Sequence, residues 1–260
     1  MIAVSERFTI EMNRVVAYTE LVEATFDLAK HEPRKTSSRK PIDLKTHVVH
    51  QKAKEVASTA VAYDGVYLST CALFEMAIRD LIETFINSLV VKIPSYNKLP
   101  KEIKEWNPRG CSEILININQ EKFKHLSSDV ILKALSTCVR PSKTSPSYTL
   151  LVEAFSNNER NFQPVFLEDV FRVRLGLDKV WHKAAYEKTL SEYLGSPHHD
   201  TTERVAKERL TSAMQRRNDI IHRGRAYYTP GQSEVKECAL FFAALISALA
   251  AVLSKHLDTL

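Results

Sequence analysis

The sequence predicts an all-α protein, and three observations carry that prediction. Glycine is scarce, with 6 residues among 260, whereas sandwiches and barrels need frequent tight turns. Apolar residues recur at helical spacing through most of the chain. Hydrophobic residues make up 44% and charged residues 26%, enough for a sizeable core and too apolar for global disorder.

Phe8, Met12, Val15, Val16, Val22, Phe26 and Ala29 place an amphipathic helix over residues 5–30. His31–Pro41 (HEPRKTSSRKP) reads as a basic linker that could touch RNA. Residues 1–42 thus form an N-terminal helix and linker ahead of a helical domain over 43–260. Asp43 is a candidate cap for a helical region over 44–91, with Gly65 as a possible kink. From Val66 to Val91 the apolar stripe is too wide for a surface helix, which places this helix centrally in a bundle. Glu75 and Arg79 lie at i, i+4 there, as an intrahelical ion pair or as support for an active site.

Residues 92–147 read as a central irregular insertion. Three prolines and a glycine break 92–111. Glu113–Leu126 suits a short strand at 114–118 or a helix, and Ser128–Asp129 caps a helix to Val139. The stretch 141–147 (PSKTSPS) is a loop. Further helices are expected at 148–157, 165–176 and 178–194. The turn at 195–202 contains His198 and His199, read as solvated. Thr201 or Thr202 then caps a helix to His222, and a last helix covers 233–257.

Composition excludes several classes. Cys71, Cys111, Cys138 and Cys238 form no CxxC pair, so neither a zinc site nor a disulfide framework is expected, and buried free thiols are. His47 and His50 lie at i, i+3 without a carboxylate or thiol at ligand spacing. No metal and no cofactor is therefore expected. The first residues carry acids and no long apolar run, which fits a cytoplasmic protein. The net charge of +5 and pI near 8.9 suit an anionic partner such as nucleic acid. The uncharged run Cys238–Ser254 would span about 25 Å as a helix, short of the ~30 Å hydrocarbon core. Its alanines and the return to Lys255, His256 and Asp258 favour a bundle helix or dimer interface over a membrane anchor.

The candidate chemistry lies just before that run. Arg216, Arg217, Arg223 and Arg225 surround His222, and between Arg209 and Arg225 the only acid is Asp219. Close cations favour a neutral imidazole able to accept a proton, and they attract phosphate. A base beside a guanidinium suits cleavage of RNA by its own 2′-hydroxyl. Asn218 and His222 share a helix face at i, i+4. Arg217 and His222, at i, i+5, lie about 140° apart on an ideal helix. They converge only if the helix frays near Gly224 or if a second subunit supplies one of them. The competing reading is a basic helix end with Gly224 at C′.

Arg217-Asn218-Asp219-Ile220-Ile221-His222 resembles the R-x4–6-H motif of the HEPN superfamily, which stands before the last long helix of a helical bundle, as it does here. The Phe74-Glu75 pair within Tyr67–Glu75 is similar to the corresponding helix of the RiboL-PSP-HEPN branch, and Asn161–Phe171 with Leu175-Gly176-Leu177 is loosely similar to its middle segment. The resemblance covers residues 53–257 and leaves out the N-terminal helix and the 92–147 insertion.

The resemblance implies an all-α HEPN-type bundle and a metal-independent endoribonuclease whose site forms across a homodimer. Arg217 would polarise the scissile phosphate, His222 would act as base, and Asn218 would orient substrate or the histidine. Glu75 and Asp219 would support them, with Arg216, Arg223 and Arg225 as a phosphate-binding rim. RNA, a second copy and a neutralising antitoxin or other defence-system protein are the expected partners. The rivals are a non-catalytic HEPN module that binds RNA or protein, and a membrane-anchored effector.

Overall fold

Two long apolar helices form the centre of the protein, and the shorter elements pack around them. The computed structural model describes residues 1–30, 51, 61–139, 148–157, 162–223 and 229–260. No strand occurs among them. The Asp43 cap, the His31–Pro41 linker, His47, His50, the 141–147 loop, Gly224 and Arg225 lie outside the described residues.

Helix α1 covers Ile2–Lys30 and α2 covers Val61–Lys92. In α2, Tyr67, Cys71, Phe74, Ile78, Leu81, Phe85 and Leu89 are buried. Their spacing of three and four forms one stripe, which Ala77, Ile82 and Ile86 widen. The helix runs through Gly65 uninterrupted. The last helix, α10 (Gln232–Thr259), is buried at Val235, Ala239, Phe242, Leu245, Ile246, Leu249 and Leu253, among others. Phe74 of α2 stacks on Phe242 of α10 with ring centroids 4.2 Å apart. By length and composition α10 could cross a membrane, but most of its apolar window is covered by protein. Its alanines let neighbours approach closely, and α1 and α2 pack along it. Phe8, Met12 and Val22 carry α1 into the same core.

The middle of the chain departs from expectation. Residues 92–111 were expected to be irregular, yet α3 runs from Lys101 to Ile116 with Pro108 inside it. A proline there leaves the carbonyl four residues back without its helical donor. That carbonyl belongs to Lys104, and the Tyr96 hydroxyl donates to it at 3.4 Å. Gly110 lets α3 approach α5 (Val152–Ser156): a Cβ at 110 would lie 2.7 Å from the Ala154 carbonyl oxygen. Trp106 Nε1 donates to that same oxygen at 2.8 Å. Asn107, fully buried, accepts from Leu151 N at 3.2 Å and donates to Cys138 Sγ at 3.0 Å. Gly110 and Asn107 therefore serve packing, and the break that Pro108 makes in the ladder is met by Tyr96. Residues 114–116 are helical, which rules out the strand reading there, and α4 covers Ser128–Val139 as expected.

Helix α6 (Pro164–Asp169) continues into a π-helical turn, Val170–Arg174. The single helix expected over 178–194 is two, α7 (Val180–Ala185) and α8 (Lys188–Leu194). The extended Glu187 breaks them, and its carboxylate pairs with Lys255 of α10 at 2.6 Å. Gly195 at φ 63° ends α8, in the left-handed region that favours glycine. Helix α9 then runs from His199 to Arg223, starting before the expected Thr201 or Thr202 cap. Thr202 is buried and donates to the His198 carbonyl at 3.2 Å. Ala206, Leu210, Ala213 and Met214 bury one face of α9, which leaves the rest of a polar helix exposed.

Candidate active site at the end of helix α9

The core fixes where the last turns of α9 sit. Met214 is fully buried and Ile220 packs against the core, so the residues between them cannot rotate freely. Neighbouring side chains on a helix diverge by about 100°, and Arg216 and Arg217 accordingly reach different helices. Arg216 turns toward α10, where its Nε and Nη2 each lie 3.0 Å from Glu234 Oε1. Arg217 turns toward α2, with its Nε 3.7 Å from Glu75 Oε1. Each carboxylate holds one arginine in place.

The Glu75–Arg217 pair is largely shielded from water, with side-chain exposures of 14% and 23%. Glu75 Oε1 has no hydrogen-bond partner among the described residues. Beneath it, hydrogen bonding to Cys238 and burial push the Cys71 thiol up, while the Arg217 charge pulls it down. Burial first, then the nearby thiols, push the Tyr67 phenol up. The Tyr67 and Cys71 side chains at the floor of the site are thus neutral at physiological pH. Tyr67 donates to the Ala213 carbonyl at 3.4 Å, tying α2 to α9.

Next along the helix, Asn218 Oδ1 accepts from Arg217 Nη1 at 3.3 Å. Asp219 accepts from Gln215 Nε2 at 3.1 Å. His222 is exposed. Helix α9 stays helical through Arg223, so it does not fray early enough to bring Arg217 and His222 together. Within one chain they remain five residues apart on an unbroken helix, about 140° around its axis.

Of the sequence-predicted residues, Arg217, Asn218 and Glu75 are brought together, His222 stands apart on the exposed side, and Arg216 faces α10. The backbone of Arg223 ends α9, and Arg225 lies outside the described residues. Glu75 pairs with Arg217 of α9 across helices. Sequence reasoning missed Glu234. Its signal was an acid in the first turn of the helix after the motif, where the helix dipole favours negative charge.

A family model described as RiboL-PSP-HEPN matches residues 42–255. The chain belongs to the RiboL-PSP-HEPN family. No match was found among curated proteins or among solved structures. The HEPN match runs through residues 92–147, which the sequence reading had left outside the resemblance. Helix α1 lies outside the HEPN match but packs on α10 inside it. Membership points to a role in RNA cleavage or RNA binding.

Proposed function

We propose that this HEPN protein is a metal-independent endoribonuclease whose site is completed by a second copy of the chain, acting in the cytoplasm as a toxin or anti-phage effector. The observation that carries this reading is the arrangement at the end of α9. A guanidinium is held by a shielded carboxylate, and an exposed imidazole stands five residues along an unbroken helix. Two such helices side by side would set Arg217 of one copy against His222 of the other.

In the proposed reaction the His222 imidazole takes the proton from the ribose 2′-hydroxyl. The 2′-oxygen attacks the adjacent phosphorus as Arg217 stabilises the charge on the phosphoryl oxygens. The bond from phosphorus to the 5′-oxygen breaks, and that oxygen takes a proton from a protonated His222 or from water. The products are a 2′,3′-cyclic phosphate and a 5′-hydroxyl. Asn218, bonded to Arg217, would orient the guanidinium or the sugar. Arg216, clasped by Glu234, would sit at the edge of the phosphate track with Arg223 and Arg225.

Purified protein is expected to cleave RNA in EDTA and His222→Ala to lose that activity. Equal cleavage by both proteins would sink the assignment. RNA binding that survives both Arg217→Ala and His222→Ala, with no cleavage of any RNA, would establish the non-catalytic module instead.

A further inference from the structure

At the opposite end of α10 from the motif, a cleft of about 400 Å³ opens between α7 and the last turns of α10. Glu234 and Lys255 are roughly 30 Å apart along the helix, so this cleft is separate from the candidate active site. We propose that it binds a small planar aromatic anion. The volume lies within the usual range for small-molecule sites of roughly 300–1,000 Å³.

The floor is apolar, made by Leu177 and Val252, both buried. The walls are aromatic, and each is braced from behind. Tyr186 stacks on His199 with ring centroids 3.7 Å apart and meets His182 edge-on at 5.1 Å. His182 Nδ1 lies 3.4 Å from Glu203. His256 stacks parallel to Phe85, with centroids 5.7 Å apart, and its Nε2 meets the Leu175 carbonyl at 3.2 Å. A carbonyl only accepts, so the proton sits on Nε2 and Nδ1 is left as an acceptor. Burial pulls His256 below its ordinary value, which keeps the ring neutral. Rings already fixed in place lose little freedom when a flat ligand packs against them.

The rim supplies the charge preference. Glu187, the acid of the lining, is matched by Lys255 at 2.6 Å. Lys183 lines the cleft, is exposed and makes no ion pair among the described residues. A ligand whose ring enters the aromatic-lined cleft would place a carboxylate, sulfonate or phosphate near Lys183. His199, read from sequence as a solvated turn residue, instead braces the wall with its Nδ1 3.2 Å from the Ala185 carbonyl.

The test is a fluorescence titration of the intact chain with 1-anilinonaphthalene-8-sulfonate. It is run on His222→Ala protein without RNA, so that its outcome does not depend on ribonuclease activity. Saturable binding of one dye per chain is expected, weakened at least tenfold by Lys183→Glu and by Tyr186→Ala. Both substitutions are at exposed positions, and unchanged circular dichroism and melting would show that the variants fold. Displacement by adenosine 5′-monophosphate would assign a mononucleotide, and displacement by indole-3-acetate an aromatic carboxylate. Equal dye binding by all three proteins, or failure of both competitors to displace the dye, would overturn the proposal.

Discussion

Arg217 of α9 and Glu75 of α2 meet with Nε 3.7 Å from Oε1, and that oxygen is buried without a hydrogen bond among the described residues. The helix carrying the motif is thus joined to the central helix by charge as well as by apolar packing. Glu75→Gln keeps the side-chain volume and removes the negative charge that faces the Arg217 guanidinium. Breaking a fully buried pair costs about 3–5 kcal/mol. With Arg217 partly exposed, we expect a loss of about 1–3 kcal/mol by urea denaturation. Pairing it with Arg217→Met should recover part of that loss. A stability unchanged by Glu75→Gln would show that the pair contributes nothing to the fold.

Pro108 offers a change of opposite sign. It occupies the interior of α3, and the Tyr96 hydroxyl donates to the Lys104 carbonyl at 3.4 Å. Pro108→Ala restores the helical donor and removes the ring from the preceding turn. We expect a gain of about 1–3 kcal/mol in denaturant unfolding. Tyr96→Phe should then cost less in the Pro108→Ala background than in the native sequence. Equal costs in both backgrounds would disprove the substitution of one donor for another.

His256 makes stability depend on pH. Burial holds it below its ordinary value of 6.5 in the folded chain. As pH falls below 6.5 the unfolded chain takes up a proton that the folded chain refuses, so the folded state loses stability. The contribution is complete above 6.5 and is lost as pH falls through the lowered folded value. Urea midpoints at pH 7.5 and 5.5 should fall more for the native protein than for His256→Gln. Parallel falls in the two would remove His256 as a cause.

Much of this architecture was legible because long periodic segments report burial directly. The stripe from Tyr67 to Leu89 and the apolar run of α10 both read as central, and both are. Helix α3 was not legible. Pro108 and Gly110 break the local pattern, and what makes them tolerable, Tyr96 and the Ala154 backbone, is visible only once the elements are packed. The break between α7 and α8 was hidden for the converse reason, since no proline or glycine marks it. At the site, the arginine–histidine spacing could be read along the chain. That Arg216 and Arg217 reach toward different helices could not, because the register of α9 against its neighbours decides it.

The packing of α1 along α10 joins residues more than 200 positions apart. Such a pairing forms slowly, because the chain between must close before any contact rewards it. During synthesis α1 emerges more than 200 residues before α10 is complete and has no α10 to cover it until then. Helix α1 can pack against α2 early, but its buried residues, Phe8, Met12 and Val22, reach the complete core only once α10 is made. The α9 motif and its Glu234 clasp therefore reach their folded setting only after α10 has been made, and a ribosome that has made α1 to α9 alone does not carry a finished copy of the site.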